Sequence, residues 1–141
     1  IIHTLSYETA FLLAEALDSP RIVISKNLRK LISTFLESKE PVVIISPGLA
    51  ISFDGKEAGF QICARFPWPD LGDEVVLNRG AEWFTRRAIL NFIQLCGRIN
   101  RSPGDSKPTY VIDSNAYWFL KDNWNKLPLW FRSSISFVSR T

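Results

Sequence analysis

The sequence predicts an α/β protein built on an open, mostly parallel β-sheet, and three observations lead to that class. Short runs of β-branched residues alternate with segments whose apolar residues recur at helical spacing. The connections between these segments are short. Residues 42–45 are apolar throughout, which is typical of a parallel strand covered by helices on both faces. This alternation favours a single sheet flanked by helices.

The first part of the chain predicts three strands and two helices. Residues 1–4 form the first strand, and Ser6 is placed to cap the helix that follows, because its hydroxyl can accept a bond from a backbone N–H of the first turn. Residues 21–25 form the second strand, and Asn27 is the predicted cap of the second helix. Residues 42–45 form the third strand. The chain therefore repeats a strand–helix unit.

The second part of the chain predicts two further strands around a long helix. Residues 60–66 form the fourth strand, and residues 109–113 form the fifth. Between them, a helix carries its apolar residues on one face: Ala81, Phe84, Ala88, Phe92 and Leu95. The tail from Asn115 is rich in aromatic residues. We expect these residues to pack helices against the sheet edge, with base stacking as the alternative.

Size and composition indicate one globular domain spanning residues 1–141. A hydrophobic fraction of 46% with 22% charged residues excludes the disordered class, and no apolar run is long enough to span a membrane. Cys63 and Cys96 lack metal-ligand spacing, so we expect free buried thiols and a cytoplasmic protein, or a nuclear one in a eukaryote. The start on Ile1 reads as a fragment of a longer chain.

Positive charge is concentrated in one segment. Five arginines and a single acid, Glu82, lie between Arg79 and Arg101. Such a segment suits a phosphate partner, either a nucleotide or a nucleic-acid backbone. On charge alone, a solvated helix face is an equal alternative.

Three polar residues in this segment have the spacing of one helix face. Gln94, Arg98 and Arg101 stand at i, i+4 and i+7, so they lie opposite the apolar face if the helix continues to Arg101. Both guanidiniums would then point outward together. Guanidinium stays protonated and offers a planar fork of donors, which suits charge on a transferring phosphoryl group. Gly97 allows close approach of a nucleotide. These residues alone equally allow a solvated helix end.

Sequence context adds a resemblance. The pattern Gln94-x-x-Gly97-Arg98-x-x-Arg101 resembles motif VI of superfamily 2 helicases. Other blocks resemble the XPD/DinG type in the same order along the chain: residues 2–7 resemble motif IV, residues 46–55 resemble motif V, residues 66–72 resemble the proline-aromatic corner that follows, and Asp105, residues 109–113 and residues 127–131 resemble later blocks. The resemblance spans almost the whole chain.

The resemblance implies the second RecA-like motor domain of a DNA helicase. Arg98 and Arg101 would face the ATP phosphates, with Gln94, Gly97 and Asp54 also at the nucleotide. Asp54 would bond the ribose or hold the arginines, although an aspartate before Gly55 is also an ordinary turn residue. The residues implied to lie near single-stranded DNA are His3, Thr4, Ser6 and Ser46.

Features of a complete ATP site are missing from the sequence. It has no glycine-rich phosphate loop, no acidic magnesium-binding box and too few cysteines for a four-cysteine iron–sulfur site. The resemblance assigns the first two to the N-terminal RecA-like domain of the same protein. ATP and Mg²⁺ would thus be bound mainly by that absent domain, this chain would hold no metal ligands, and alone it would be inactive.

Two other functions remain open. Ser52 stands where motif V of the family usually has glycine, which favours a non-catalytic nucleic-acid binding module that keeps the motor fold. A flavodoxin-like small-molecule domain is the weaker alternative, because no glycine-rich phosphate fingerprint follows the first strand. No membrane partner is expected.

Overall fold

A computed structural model describes residues 1–46, 58–101 and 104–138. The chain divides into two compact units. The first, here called the sheet unit, comprises Ile1–Arg65 and Cys96–Ile112. The second, here called the aromatic unit, comprises Phe66–Leu95 and the residues from Asp113 onward.

The sheet unit contains a five-stranded sheet in which every pairing is parallel. The strand order is β2-β3-β1-β4-β5. The strands are β1 (Ile2–His3), β2 (Ile22–Val23), β3 (Val43–Ser46), β4 (Gln61–Cys63) and β5 (Thr109–Val111). The predicted α/β class is confirmed, with strands shorter than the apolar runs that predicted them, and the sheet is consistent with a RecA-like one.

Two helices of this unit lie on opposite faces of the sheet. They are α1 (Tyr7–Leu17) and α2 (Leu28–Glu37). Ile2 and Ile45 are buried with Ala10 of α1, whereas Ile1 and Ile44 are buried with Leu31 of α2. Successive side chains of a strand point to opposite faces, so each apolar strand contributes to two cores. This explains why residues 42–45 show no polar alternation.

Both predicted helix caps are confirmed. The backbone N–H of Thr9 donates to Ser6 Oγ at 3.1 Å, and that of Lys30 donates to Asn27 Oδ1 at 3.2 Å. Each cap satisfies one N–H that the first helical turn would leave without a partner. Between β1 and α1, Leu5 has a positive φ of 60°, which is uncommon for a residue with a branched side chain.

The aromatic unit contains short helices and most of one long helix. Its helices are α3 (Glu74–Leu77), α4 (Gly80–Cys96, whose last residue belongs to the sheet unit), α5 (Ser114–Asp122), a 3₁₀ turn (Trp124–Lys126) and α6 (Leu129–Arg132). Phe66 packs on Phe92 and on Phe119, with ring centroids 5.1 Å apart in both pairs. Of the tail aromatic residues, Phe119 and Phe131 therefore join the core of this unit, whereas Trp118 and Trp130 are exposed.

The strand order fixes where a ligand is expected. The chain leaves β1 toward β2 on one side of the sheet, and it leaves β4 toward β5 on the other side. In open parallel sheets the crevice for ligands lies at the carboxyl ends of two strands that diverge in this way. Thr4 and Ala64 directly follow these two strands.

No helix in the part of the chain that the structure describes is long and apolar enough to cross a membrane.

Candidate functional site

The residues at the carboxyl ends of β1 and β3 are buried and bonded to one another. His3, Thr4 and Ser46 are each at most 2% exposed. Thr4 Oγ1 donates to the carbonyl oxygens of Ser6 at 3.0 Å and Ser46 at 3.4 Å, and the Thr4 N–H also donates to the Ser46 carbonyl at 3.0 Å. These side chains close the end of the sheet from within.

Ser6 lies on the outer side of the same turn. Its hydroxyl accepts from the Thr9 N–H and also donates to Thr9 Oγ1 at 2.8 Å. Ser6 is half-buried, and the next residues, Tyr7 and Glu8, are exposed. The structure thus brings Thr4, Ser6 and Ser46 together, but it occupies their hydroxyls with internal bonds or leaves them away from solvent. Contact of this turn with nucleic acid stays a prediction.

A residue that the sequence reasoning missed connects the strands. Gln61, the first residue of β4, is fully buried, and its Oε1 is 3.1 Å from Nε2 of His3. Its Nε2 donates to the carbonyl of Cys96 at 3.2 Å and to Thr109 Oγ1 at 2.8 Å. The signal that could have revealed it is a polar side chain inside an apolar strand of a sheet covered on both faces, because such a group needs buried partners.

The condition that the helix continues to Arg101 is not met. Helix α4 ends at Cys96, so Arg98 and Arg101 lie beyond the helix, and Gln94 is an exposed residue of its last turn. Two causes act together. Gly97 is a poor helix former, and the fully buried Ile99 packs with Ile1 and Ala58 in the core beneath α2. The chain leaves the helix to bury Ile99.

The segment Gly97–Arg101 is here called the arginine segment. Arg98 is half-buried with its Nε atom enclosed, whereas Arg101 is exposed, so the two side chains are less alike than predicted. The Arg101 N–H donates to Asp105 Oδ2 at 2.8 Å, and Asn100 exchanges two hydrogen bonds with the backbone of Lys107. These bonds fix the backbone of the arginine segment. Within the described residues, the Arg101 guanidinium forms neither a hydrogen bond nor an ion pair.

The two groups of predicted residues lie at different ends of the sheet. The Cys96 carbonyl, just before the arginine segment, is held by the first residue of β4, and Ile99 packs on residues that precede β1 and β4. The arginine segment therefore lies beside the amino ends of the strands, whereas Thr4 and Ser46 lie at the carboxyl ends. Asp54, the remaining predicted site residue, lies outside the described residues.

A cavity of about 490 Å³ also lies on the amino-end side of the sheet unit. Its lining includes Ile1, Phe35, Pro41 and Phe60, with Lys39 and Glu40 contributing charge. This position differs from the carboxyl-end crevice that the strand order predicts.

The other arginines of the basic run lie in the aromatic unit. Arg86 pairs with Glu82 at 2.8 Å across one turn of α4, and both side chains are about three-quarters exposed, at 74% and 75%. The Arg79 guanidinium lies 5.8 Å from the Trp83 ring centroid, within cation–π range. Arg87 is exposed. This face of α4 is exposed, which is compatible with both sequence interpretations.

Cys63 and Cys96 are both free thiols. Burial raises the pKa of the Cys96 thiol to about 12, so this thiol is not suited to nucleophilic chemistry. Cys63 Sγ donates to the Arg65 carbonyl at 2.9 Å inside the sheet unit. A thiol that stays protonated near neutral pH is a poor nucleophile and metal ligand. Among the described ranges, no group of three or more His, Cys, Asp or Glu side chains could hold a metal ion.

No family model matches this chain, and no curated protein is significantly similar to it. A functional proposal therefore depends on the residues and their geometry.

Proposed function

We propose that this chain is the second RecA-like motor domain of an ATP-dependent DNA helicase of the XPD/DinG type. It would complete the ATP site of a first motor domain in the same protein, and it would form part of the track for single-stranded DNA. Such a protein would act in the cytoplasm, or in the nucleus of a eukaryote.

The observation that carries the proposal is the state of Arg101. Its side chain is exposed and has no partner in the described residues, while the backbone that holds it is fixed by Asp105. A guanidinium in this state keeps its full set of donors for a phosphate and loses little backbone freedom on binding one. The proposed partner of this arginine is the ATP phosphates, because the ordered sequence blocks resemble helicase motifs and the sheet is parallel.

The residues present fit one side of an ATP site. The arginine segment supplies two cations three residues apart in the sequence, and Arg98 is partly enclosed whereas Arg101 is open. When bound, ATP with Mg²⁺ supplies the transferable phosphoryl group. The role of Arg101 would be to donate hydrogen bonds to negatively charged phosphate oxygens. Arg98, with Nε enclosed, would hold a fixed orientation beside it.

The proposed DNA track lies at the turn between β1 and α1. Because the Thr4 and Ser6 hydroxyls are bonded within the fold and the Ser46 side chain is buried, phosphate contacts would come from neighbouring backbone N–H groups. Contacts of this kind position a strand without reading its sequence. The left-handed backbone of Leu5 holds that turn in place.

Steady-state ATPase of the protein containing both motor domains, with saturating single-stranded DNA, tests the proposal. Arg101→Ala should lower kcat by about 10³-fold, and Arg101→Lys should restore little, because an ammonium lacks the planar fork. Arg86→Ala is the matched control, since Arg86 is also an exposed arginine but lies in α4 and pairs with Glu82. The 141-residue chain alone should show no turnover. Equal effects of Arg101→Ala and Arg86→Ala would refute the assignment.

A non-catalytic nucleic-acid binding module is the second candidate, and one observation favours it. The arginine segment lies beside the amino ends of the strands, so it does not share the carboxyl-end crevice with Thr4 and Ser46. In such a module both regions could contact one nucleic-acid backbone. The ATPase measurement separates the two functions, because the module predicts no turnover in the parent protein.

A further inference from the structure

We propose that Gln61 is a positioning residue that joins the arginine segment to the end of β1. Through Gln61, DNA binding at the end of β1 would be coupled to nucleotide binding at the arginine segment. This inference rests on the proposed function. It concerns a residue that touches neither nucleotide nor DNA and acts through the groups that it holds.

The joint is a continuous set of buried and partly buried hydrogen bonds within the sheet unit. His3 of β1 bonds Gln61 at 3.1 Å, and Gln61 bonds the Cys96 carbonyl at 3.2 Å and Thr109 Oγ1 at 2.8 Å. One side chain therefore contacts β1, β5 and the last residue of α4. His3 directly precedes Thr4, and Cys96 is two residues from Arg98.

The chemistry of the partners fixes the orientation of the amide. The Cys96 carbonyl can only accept, so the nitrogen of the Gln61 amide must face it and the oxygen must face His3. Oε1 in turn can only accept, so His3 must carry a proton on Nε2. The neutral imidazole is thereby held as its Nε2–H tautomer.

This arrangement is sensitive to small shifts. In a buried site, a donor or acceptor that loses its partner is costly, so displacement of Cys96 moves Gln61 or breaks its bond. Gly97, next to Cys96, is the residue of the arginine segment whose backbone adapts most readily. A shift of the whole segment about Gly97 on nucleotide binding would therefore reach His3 through the Gln61 amide, and a movement of β1 would reach the segment by the same path.

The functional experiment compares variants in the protein containing both motor domains. Gln61→Met keeps the length of the side chain and removes its bonds to His3, Cys96 and Thr109, whereas Thr109→Val removes only the Thr109 hydroxyl and is the control. The measured quantity is the ratio of kcat with saturating oligothymidine to kcat without it. In Gln61→Met this ratio should fall about 10-fold, within the roughly 5–150-fold range of coupling between sites. In Thr109→Val the ratio should stay within about twofold of the parent ratio.

Thermal melts accompany the kinetics, because a merely structural role would lower the melting temperature and leave the ratio unchanged. A folded Gln61→Met protein with the parental ratio would overturn the coupling. A parent protein without any turnover would instead overturn the proposed function, and the two failures are thus distinct.

A second measurement tests the joint without ATP. The 141-residue chain contains a single histidine, so its ring signals in a long-range ¹H–¹⁵N spectrum need no further assignment. Above the pKa of the ring, the parent should show the Nε2–H tautomer. In Gln61→Met the Nε2 and Nδ1 shifts should move toward the averaged values of an unconstrained imidazole. An Nδ1–H tautomer in the parent would contradict the role given to Gln61.

Discussion

The turn after β1 and the arginine segment were both predicted to contact ligands, but they are built in opposite ways. At the turn, Thr4 is fully buried, and its hydroxyl bonds carbonyls of the fold. In the arginine segment, the backbone makes the internal bonds and the Arg101 side chain is left to solvent. Residue types that bind phosphates can therefore instead form hydrogen bonds within the fold. Only the surroundings of a side chain show whether it stabilises the fold or can bind a ligand.

The comparison has a functional meaning. A side chain whose donors are already bonded gains little from a ligand, since binding would exchange one hydrogen bond for another. A fixed backbone with an open side chain is prepared for binding. Among the predicted site residues that the structure describes, Arg101 meets this condition best.

For the 141-residue chain without its partner domain, the largest expected effect is that of salt on DNA binding. If the chain contacts about four phosphates of a single strand, its affinity should fall roughly 50-fold between 50 and 200 mM salt. Fluorescence anisotropy with a labelled oligothymidine measures this slope, and an oligomer of mixed sequence serves as the control. If the arginine segment faces ATP, Arg101→Ala leaves the slope unchanged. A slope reduced by about 0.7 would instead assign Arg101 to the nucleic acid.

A second prediction concerns stability at the two regions. His3→Leu should lower the free energy of unfolding by about 1–3 kcal/mol, because it leaves the buried Oε1 of Gln61 without that donor. Arg101→Ala should change it by less than about 0.5 kcal/mol, since the side chain is exposed. Urea denaturation of the 141-residue chain measures both. If the two variants lost similar amounts of unfolding free energy, the distinction between a side chain bonded within the fold and one exposed to solvent would not hold.

A smaller loss of stability than that of His3→Leu is predicted for the outer side of the β1 turn. Ser6→Ala should cost about 1 kcal/mol, because the Thr9 N–H loses its cap. Gln94→Ala, at an exposed site on α4, is the control and should be nearly neutral. If Ser6→Ala were equally neutral in urea denaturation, the Ser6 hydroxyl would be available for a ligand after all.

The sequence predicted those features that depend on local chemistry. The strand–helix alternation and the caps at Ser6 and Asn27 follow from side-chain patterns within a few residues. The end of α4 was not predictable in this way, because it depends on the burial of Ile99 among residues that are distant from it in the sequence. Gly97 gave a hint, although glycine alone does not decide whether a helix ends.

The candidate site was predicted less completely than the fold. Residue types identified Arg101 as a candidate. They could not predict that the Thr4 hydroxyl would donate to the carbonyl of Ser46, 42 residues away. Gln61 was overlooked because its importance comes from three partners in separate elements. The positive φ of Leu5 also has no local signal, because glycine or asparagine is the usual choice for that conformation.

The central position of β1 has a consequence for how this chain folds. Of the strands named above, β1 comes first in the sequence; it pairs with β3 and β4, and the bonds that link it to them join residues 42 and 58 positions apart. Such contacts require long loops to close before they contribute, which slows folding relative to a protein of local contacts. Until β4 has been synthesised, the apolar residues of β1 have an incomplete set of neighbours. Nascent chains that stop short of Cys63 should therefore remain sensitive to proteases and prone to association through this strand.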